Sequence, residues 1–313
     1  MSTVGPASPS HARSREVVVP WHNALTARLA DYLELTKPRI AVLALTAVTV
    51  GYVLGSKGGW QVVPLLHALL GIGCVAAGSS ILNQWIERST DTQMDRTANR
   101  PLPAGRLQAS EALWFGLACG LFGTLYLTIA VNAVTAWLAL ATMFLYVGVY
   151  TPLKRHTSLC TAVGAVPGAL PPVLGWTAAG GQLDAGAFSL FAILFLWQFP
   201  HFLAIAWLYR EDYARAGLRM LPRPSAKLPI VGAFTVIYAL ALIPVSLLPS
   251  EFALAGDAYF LAAIILGLCY LISSVRFLLN ESRRTARSLL LVSLVYLPLL
   301  LLALTADHLR LLQ

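Results

Sequence analysis

The chain has 313 residues, 58% of them apolar and only 12% charged, with a formal net charge of +8. A soluble domain of that length needs more polar surface, so lipid is the solvent for most of it. The basic excess sits in short loops beside apolar stretches, which sets aside a nucleic-acid partner and points to membrane orientation.

Residues 1–30 carry Ser, Pro, Arg and His without a long apolar core, and Val17-Val18-Val19 is too short for the apolar region of a signal peptide. They are expected to form a disordered cytoplasmic tail ahead of one transmembrane domain over 31–313. The Arg-bearing, nearly acid-free start also suits a mitochondrial transit peptide, kept as the lesser alternative to a bacterial inner membrane. Nine apolar segments are long enough to span a bilayer, at about 38–55, 61–86, 110–130, 132–150, 159–178, 187–209, 228–248, 258–275 and 287–306. The third and fourth form a tight hairpin. Val166-Pro167-Gly168 and Pro171-Pro172 interrupt the fifth, a break tolerated only where neighbouring helices or a cavity satisfy the freed backbone groups. Cys74, Cys119, Cys160 and Cys269 form no CxxC pair and are read as packed thiols.

Orientation follows from the basic residues. With the N-terminus cytoplasmic and nine spans, 20 of the 22 Lys and Arg fall inside, leaving Lys57 and Arg310 outside with the C-terminus. Asp184, Glu251, Asp257 and Asp307 fall in outer loops and read as solvated surface. Glu87, Asp91, Asp95, Glu211 and Asp212 fall in two inner loops that could converge on one cavity.

Asn83, Glu87, Asp91 and Asp95 are four residues apart. On a helix, side chains at that spacing form one stripe. Stacked carboxylates repel, and a hard cation such as Mg²⁺ relieves the conflict by bridging them to substrate phosphates. The competing reading is an ordinary charged loop with Glu87 and Asp91 paired to Arg88 and Arg96. After the fourth span comes Tyr150-Thr-Pro-Leu-Lys154-Arg155-His156-Thr157, and Lys37 and Arg39 stand at the mouth of the first. Such cations stabilise a departing diphosphate, although positive loops also orient helices without any catalysis. His201, near the inner end of the sixth span, is an intramembrane ionisable group and so a functional candidate, with a packing histidine as the alternative. His67 lies about 24 Å along its helix from Asn83 and falls outside this site.

These motifs carry a family resemblance. Asn83-xxx-Glu87-xxx-Asp91, followed by Arg96-Thr-Ala-Asn-Arg100-Pro-Leu-Pro-Ala-Gly105, resembles the first signature of the intramembrane aromatic prenyltransferases, the UbiA superfamily, with Glu87 in place of the usual middle Asp. Tyr150 through Thr157 is similar to the family's YxxxKRxT motif. The DxxxD of quinone-type members is absent after the sixth span. In its place stand Trp197-Gln198-Phe199-Pro200-His201-Phe202, then Asp212-Tyr213 and Met220-Leu221-Pro222, which resemble the heme branch, the protoheme IX farnesyltransferases. The resemblance implies an all-α polytopic membrane protein with nine transmembrane helices around a central cavity. It implies Mg²⁺ as cofactor, held by Asn83, Glu87 and Asp91 with Asp95 as an added acid, and catalysis through that set with Lys154 and Arg155.

Substrate contacts are then expected from Lys37, Arg39, Arg96, Arg100, Tyr150, His201, Glu211, Asp212 and Tyr213. The implied reaction transfers farnesyl from farnesyl diphosphate to a vinyl group of heme B with addition of water. Heme A synthase or terminal-oxidase assembly factors are the implied protein partners. Two alternatives stay open: a prenyltransferase for 4-hydroxybenzoate or another aromatic acceptor, and an ion-coupled secondary transporter. The transporter would place its acids at the bilayer midplane rather than at one face.

Overall fold

The computed structural model describes residues 21–56, 59–222 and 229–313. Among these the chain is all helix, without a strand. In order the elements are α1 (Trp21–Leu35), α2 (Pro38–Gly55), α3 (Val62–Asp91), α4 (Ala109–Ala130) and α5 (Ala133–Phe144). A π-helical turn, Leu145–Tyr150, joins α5 to α6 (Thr151–Leu153). Then follow α7 (Cys160–Ala169), α8 (Pro171–Ala178), α9 (Ala185–Leu208), α10 (Arg210–Arg215), α11 (Ile230–Glu251), α12 (Asp257–Leu279) and α13 (Arg283–Leu311).

Eight of the described helices are long and apolar enough to cross a bilayer, counting α5, the π turn and α6 as one span, Ala133–Leu153. The ninth expected span is α7 and α8 in series. Pro171 and Pro172 have no N–H to donate to the preceding turn, so the ladder lapses at Leu170 although its backbone stays helical. α2 packs along this broken segment at close range. A Cβ on Gly51 would lie 1.8 Å from the Pro172 carbonyl oxygen, and one on Gly175 would lie 1.9 Å from that of Val48. In lipid, where apolar surface gives helices no reason to associate, such backbone contact is what holds them together.

The outward faces are apolar, with Ile129, Trp114 and Trp137 exposed by 70% or more. The interior holds polar groups in hydrogen bonds: the Tyr259 hydroxyl donates to the Ser246 carbonyl (2.6 Å) and that of Tyr270 to the Trp197 carbonyl (3.0 Å). This is the distribution that a lipid solvent imposes. Asp307, expected as solvated surface, is buried. Its Oδ2 accepts from the backbone N–H groups of Gly256 and Tyr259 at 2.6 and 3.1 Å, and it pairs with Arg310.

The N-terminal expectation also needs correction. Residues 1–20 lie outside the described residues, but residues 21–30, assigned above to a disordered tail, belong to α1. On one side of α1, Asp31 and Glu34 accept from Arg106, Arg28 pairs with Glu111, and Tyr32 meets Phe115 edge-on. Leu25, Leu29 and Leu33 remain exposed at four-residue spacing, the apolar stripe of a helix lying against a membrane surface. At the corner into α2, the Gln84 side chain donates to the Leu35 carbonyl (2.7 Å) and fixes the approach of Lys37 to α3.

Candidate active site

Successive spans run antiparallel, so the ends of α3, α6 and α9 share one end of the bundle with the starts of α4, α7, α11 and α13. α3 runs five residues past the expected boundary at 86 and carries Asn83, Glu87 and Asp91 on one stripe, all buried. Acids at a helix C-terminus oppose the macrodipole. Three cations from other segments offset them. Lys37 Nζ donates to Asn83 Oδ1 (2.8 Å), Lys154 Nζ to Glu87 Oε1 (2.8 Å), and Arg100 Nη1 to Asp91 Oδ2 (2.8 Å).

The asparagine is oriented without ambiguity. Its Nδ2 donates to Glu87 Oε2 (3.1 Å) and to Thr151 Oγ1 (3.0 Å), while the Thr151 hydroxyl proton is committed to the Tyr146 carbonyl (2.8 Å). Thr151 therefore accepts from the amide, and Asn83 Oδ1 is left facing Lys37. One oxygen stands apart. Asp91 Oδ1 is buried and has no hydrogen-bond partner among the described residues. An unsatisfied buried carboxylate oxygen is costly, and a bound water or ion would complete it.

Lys37 has a left-handed backbone (φ 53°) immediately before Pro38, a conformation disfavoured for a residue with a Cβ and doubly so before proline. Burial, and then the charges of Arg100 and Lys154, lower its ammonium to about 7. Lys154 behaves oppositely. Burial alone would lower it, but Tyr150 and Glu87 more than offset this, so its pKa is raised and it stays charged. Its ammonium also lies 4.5 Å from the centre of the Tyr150 ring.

The other expected residues divide. The stripe stops at Asp91 because α3 stops there: Met94 N and Thr97 Oγ1 turn back onto the Asp91 carbonyl. Asp95, expected as a further metal ligand, is thereby carried to the surface, where it pairs with Arg215 at 2.8 Å. Arg39 and Arg155 are exposed and take no part in the ion pairs of the stripe. Arg96 is exposed too, lying over the Tyr209 ring at 5.3 Å. Glu211 is exposed beside Arg210, whereas Asp212 pairs with Arg215 and Tyr213 packs with Met94, Ala216, Leu218 and Met220. The two acidic loops meet through the exposed Asp95–Arg215 pair and this small cluster, rather than by turning their acids into one cavity. The segment after α10 also reaches the basic loop, where Arg219 N donates to the Lys154 carbonyl (2.7 Å).

His201 belongs to a different wall. Its Nδ1 bonds to Ser293 Oγ on α13 (2.7 Å), its ring stacks on Trp197 at 5.0 Å, and the Trp197 indole donates to the Ser293 carbonyl (2.9 Å). The rest of the block is structural. Gln198 donates to the Ala165 carbonyl of α7 (3.1 Å), and Phe199 stacks on Tyr238 of α11 at 3.9 Å. His67, set aside above, bonds to the Tyr126 hydroxyl (2.6 Å).

Residues missed from the sequence are Thr151, Tyr146 and Gln84. Pro152 cannot close an i→i−4 bond, and the wider turn before it brings Thr151 against Asn83, a shift that apolar periodicity does not reveal.

The model of the UbiA prenyltransferase family matches residues 44–301. The chain belongs to the UbiA prenyltransferase family. Curated relatives include the Protoheme IX farnesyltransferase of Solibacter usitatus, 47% identical over 281 residues, covering 87% of this chain and 96% of the relative. The protein of the same name from Koribacter versatilis is 46% identical, covering 90% and 94%. Among solved structures, a digeranylgeranylglyceryl phosphate synthase shares the UbiA fold at a TM-score of 0.77 and 18% identity, over 91% of this chain and 99% of that one. A UbiA homolog from Archaeoglobus fulgidus, bound to GPP and Mg²⁺, matches at 0.60 and 19% identity, over 88% and 99%.

Proposed function

We propose that this UbiA member transfers the farnesyl group of farnesyl diphosphate to the 2-vinyl group of protoheme IX with addition of water, giving heme O and diphosphate. The observation that carries the reading is the near full-length identity, up to 47%, to relatives named Protoheme IX farnesyltransferase. The geometry supplies the donor half. Lys154 and Arg100 balance the two carboxylates, and protonation of Lys37, whose ammonium is lowered to about 7, gives the stripe an excess of up to one positive charge, suited to a strongly anionic ligand.

The donor set fits Mg²⁺, being the amide oxygen of Asn83 and the carboxylates of Glu87 and Asp91, with Asp91 Oδ1 unpartnered. When bound, the ion supplies charge neutralisation on the diphosphate oxygens. Lys37, Lys154 and Arg100, which donate to Asn83, Glu87 and Asp91 in turn, are close enough to the stripe to turn their N–H groups to the diphosphate as the ester C–O bond breaks and its electron pair goes to oxygen. The terminal vinyl carbon then bonds to C1 of the farnesyl group. Water adds to the other vinyl carbon and loses a proton.

His201 is our candidate on the acceptor side. The Ser293 hydroxyl proton goes to the Leu290 carbonyl (2.6 Å), so Ser293 Oγ accepts from Nδ1–H of the imidazole. That fixes the tautomer with its lone pair on Nε2, the form in which a histidine binds iron with its other nitrogen held by a hydrogen bond. The bias of basic residues toward one side of the membrane supports a cytoplasmic N-terminus, with the diphosphate site on that same side.

The test is direct. Purified protein in nanodiscs is given heme B, farnesyl diphosphate and Mg²⁺, and the products are read by mass spectrometry. Farnesylated, hydrated heme is expected. No such product, with 4-hydroxybenzoate prenylated instead, overturns the assignment to heme while retaining the donor site.

A further inference from the structure

Three arginines at the start of α13 are not used by the diphosphate site. Arg283, Arg284 and Arg287, with Ser288, Leu291 and Val292, all on this one helix, border an open surface recess of about 520 Å³. At about 100° per residue, these six share one side of the helix. The buried residues Ala286, Leu289, Ser293, Tyr296 and Leu300 occupy the other. The recess therefore opens outward from the bundle, away from His201, which meets α13 at Ser293.

All three arginines are exposed, and none joins an ion pair among the described residues. The acid nearest in sequence, Glu281, is engaged elsewhere, accepting from Gly232 N at 2.8 Å. The first turn of α13 has no acid. Three guanidinium groups at the positive end of a helix are electrostatically disfavoured there. Orienting the helix requires only basic residues somewhere in the loop. Gathering all three on one outward face of the helix is a narrower arrangement.

What lies beneath them identifies the occupant. The same outward face continues as Leu291, Leu294, Val295 and Leu302, exposed by 63, 43, 55 and 65%. A cationic recess at the membrane boundary above an apolar strip matches a molecule with an anionic head and hydrocarbon chains. Guanidinium forks suit phosphate oxygens, and basic recesses at this depth suit anionic headgroups. We propose that this surface binds an anionic phospholipid, its phosphate among Arg283, Arg284 and Arg287 and its chains along Leu291, Leu294 and Val295.

The full-length protein is incubated with equal amounts of phosphatidylglycerol and phosphatidylcholine, and the retained lipid is identified by native mass spectrometry. Wild type is expected to prefer phosphatidylglycerol by about tenfold or more. Arg283→Gln/Arg284→Gln/Arg287→Gln should lower the preference to near unity, and excess glycerol phosphate should not displace the lipid. Wild type without preference, a triple variant that keeps it, or displacement by glycerol phosphate each overturns the proposal, the last by showing a site for soluble phosphate. If the triple variant fails to insert, Arg287→Gln alone decides: an unchanged preference overturns the proposal, a weakened one supports it.

Discussion

Replacing Lys154 by Met separates two roles that its position combines. In the resting site Lys154 neutralises Glu87 across 2.8 Å, with only 11% of each side chain exposed. Removing one partner of a buried pair costs about 3–5 kcal/mol, because the other is left as an uncompensated charge. Asn83 still donates to Glu87 Oε2, and some solvent reaches the carboxylate, so the lower end, roughly 3 kcal/mol, is expected for Lys154→Met. If Lys154 also stabilises departing diphosphate, turnover falls by roughly 10²–10³, the effect of losing one preorganised donor. The double variant Lys154→Met/Glu87→Gln isolates the structural role; because Glu87→Gln also alters the proposed metal set, turnover is not expected to return. It removes the stranded charge and should recover most of the thermal stability in detergent, while heme-product formation, followed by mass spectrometry, stays at or below that of the single variant. Recovery of turnover along with stability would show Lys154 to be merely the partner of Glu87 and refute its assignment to the leaving group.

Asp91→Asn keeps the shape of the side chain but removes the charge next to the unpartnered oxygen. We expect turnover to fall by about 10² or more, with normal insertion and a higher Mg²⁺ requirement for whatever activity remains; an unchanged Mg²⁺ titration would remove Asp91 from the metal set. Asp95→Ala breaks only the exposed contact with Arg215, so turnover within about twofold of wild type is expected, and a larger loss would mean that the acid enters the site after all. Ser293→Ala frees His201 Nδ1 and should weaken heme binding, read as a change in the Soret titration, more than it alters the KM for farnesyl diphosphate. Gly175→Leu places carbon against the Val48 carbonyl, 1.9 Å from where its Cβ would stand, and should lower the yield of folded protein rather than change kcat.

The spans were legible because each is an apolar run bounded by charge, and the break in the fifth because proline removes donors wherever it occurs. Four-residue spacing revealed the stripe only while the helix lasted. Nothing in that spacing marks Asp91 as the last helical residue, so Asp95 looked like a fourth member. Opposite-charge bookkeeping along the chain suggested Arg88 and Arg96 as partners for the acids. The actual partners, Lys37, Arg100 and Lys154, are brought together by tertiary contacts, the first across the Gln84–Leu35 bond and the last across a π turn. His201 was recognisable as unusual from its place in an apolar span. Its link to Ser293, 92 residues away, was not.

The arrangement also bears on why one fold serves different acceptors. Every contact that holds the acidic stripe comes from α2, α3, α6 and the loops beside them. The Trp197–His201 wall is built instead from α9, α12 and α13. A diphosphate cannot leave the polar boundary without losing its hydration, which fixes the first set at the end of α3. An acceptor has no such constraint and can be met by whatever the second wall presents. It follows that exchanging Trp197 and His201 for smaller residues should abolish heme modification while leaving binding of a non-hydrolysable farnesyl diphosphate analogue close to wild type. Loss of both together would mean that the two walls act as one unit.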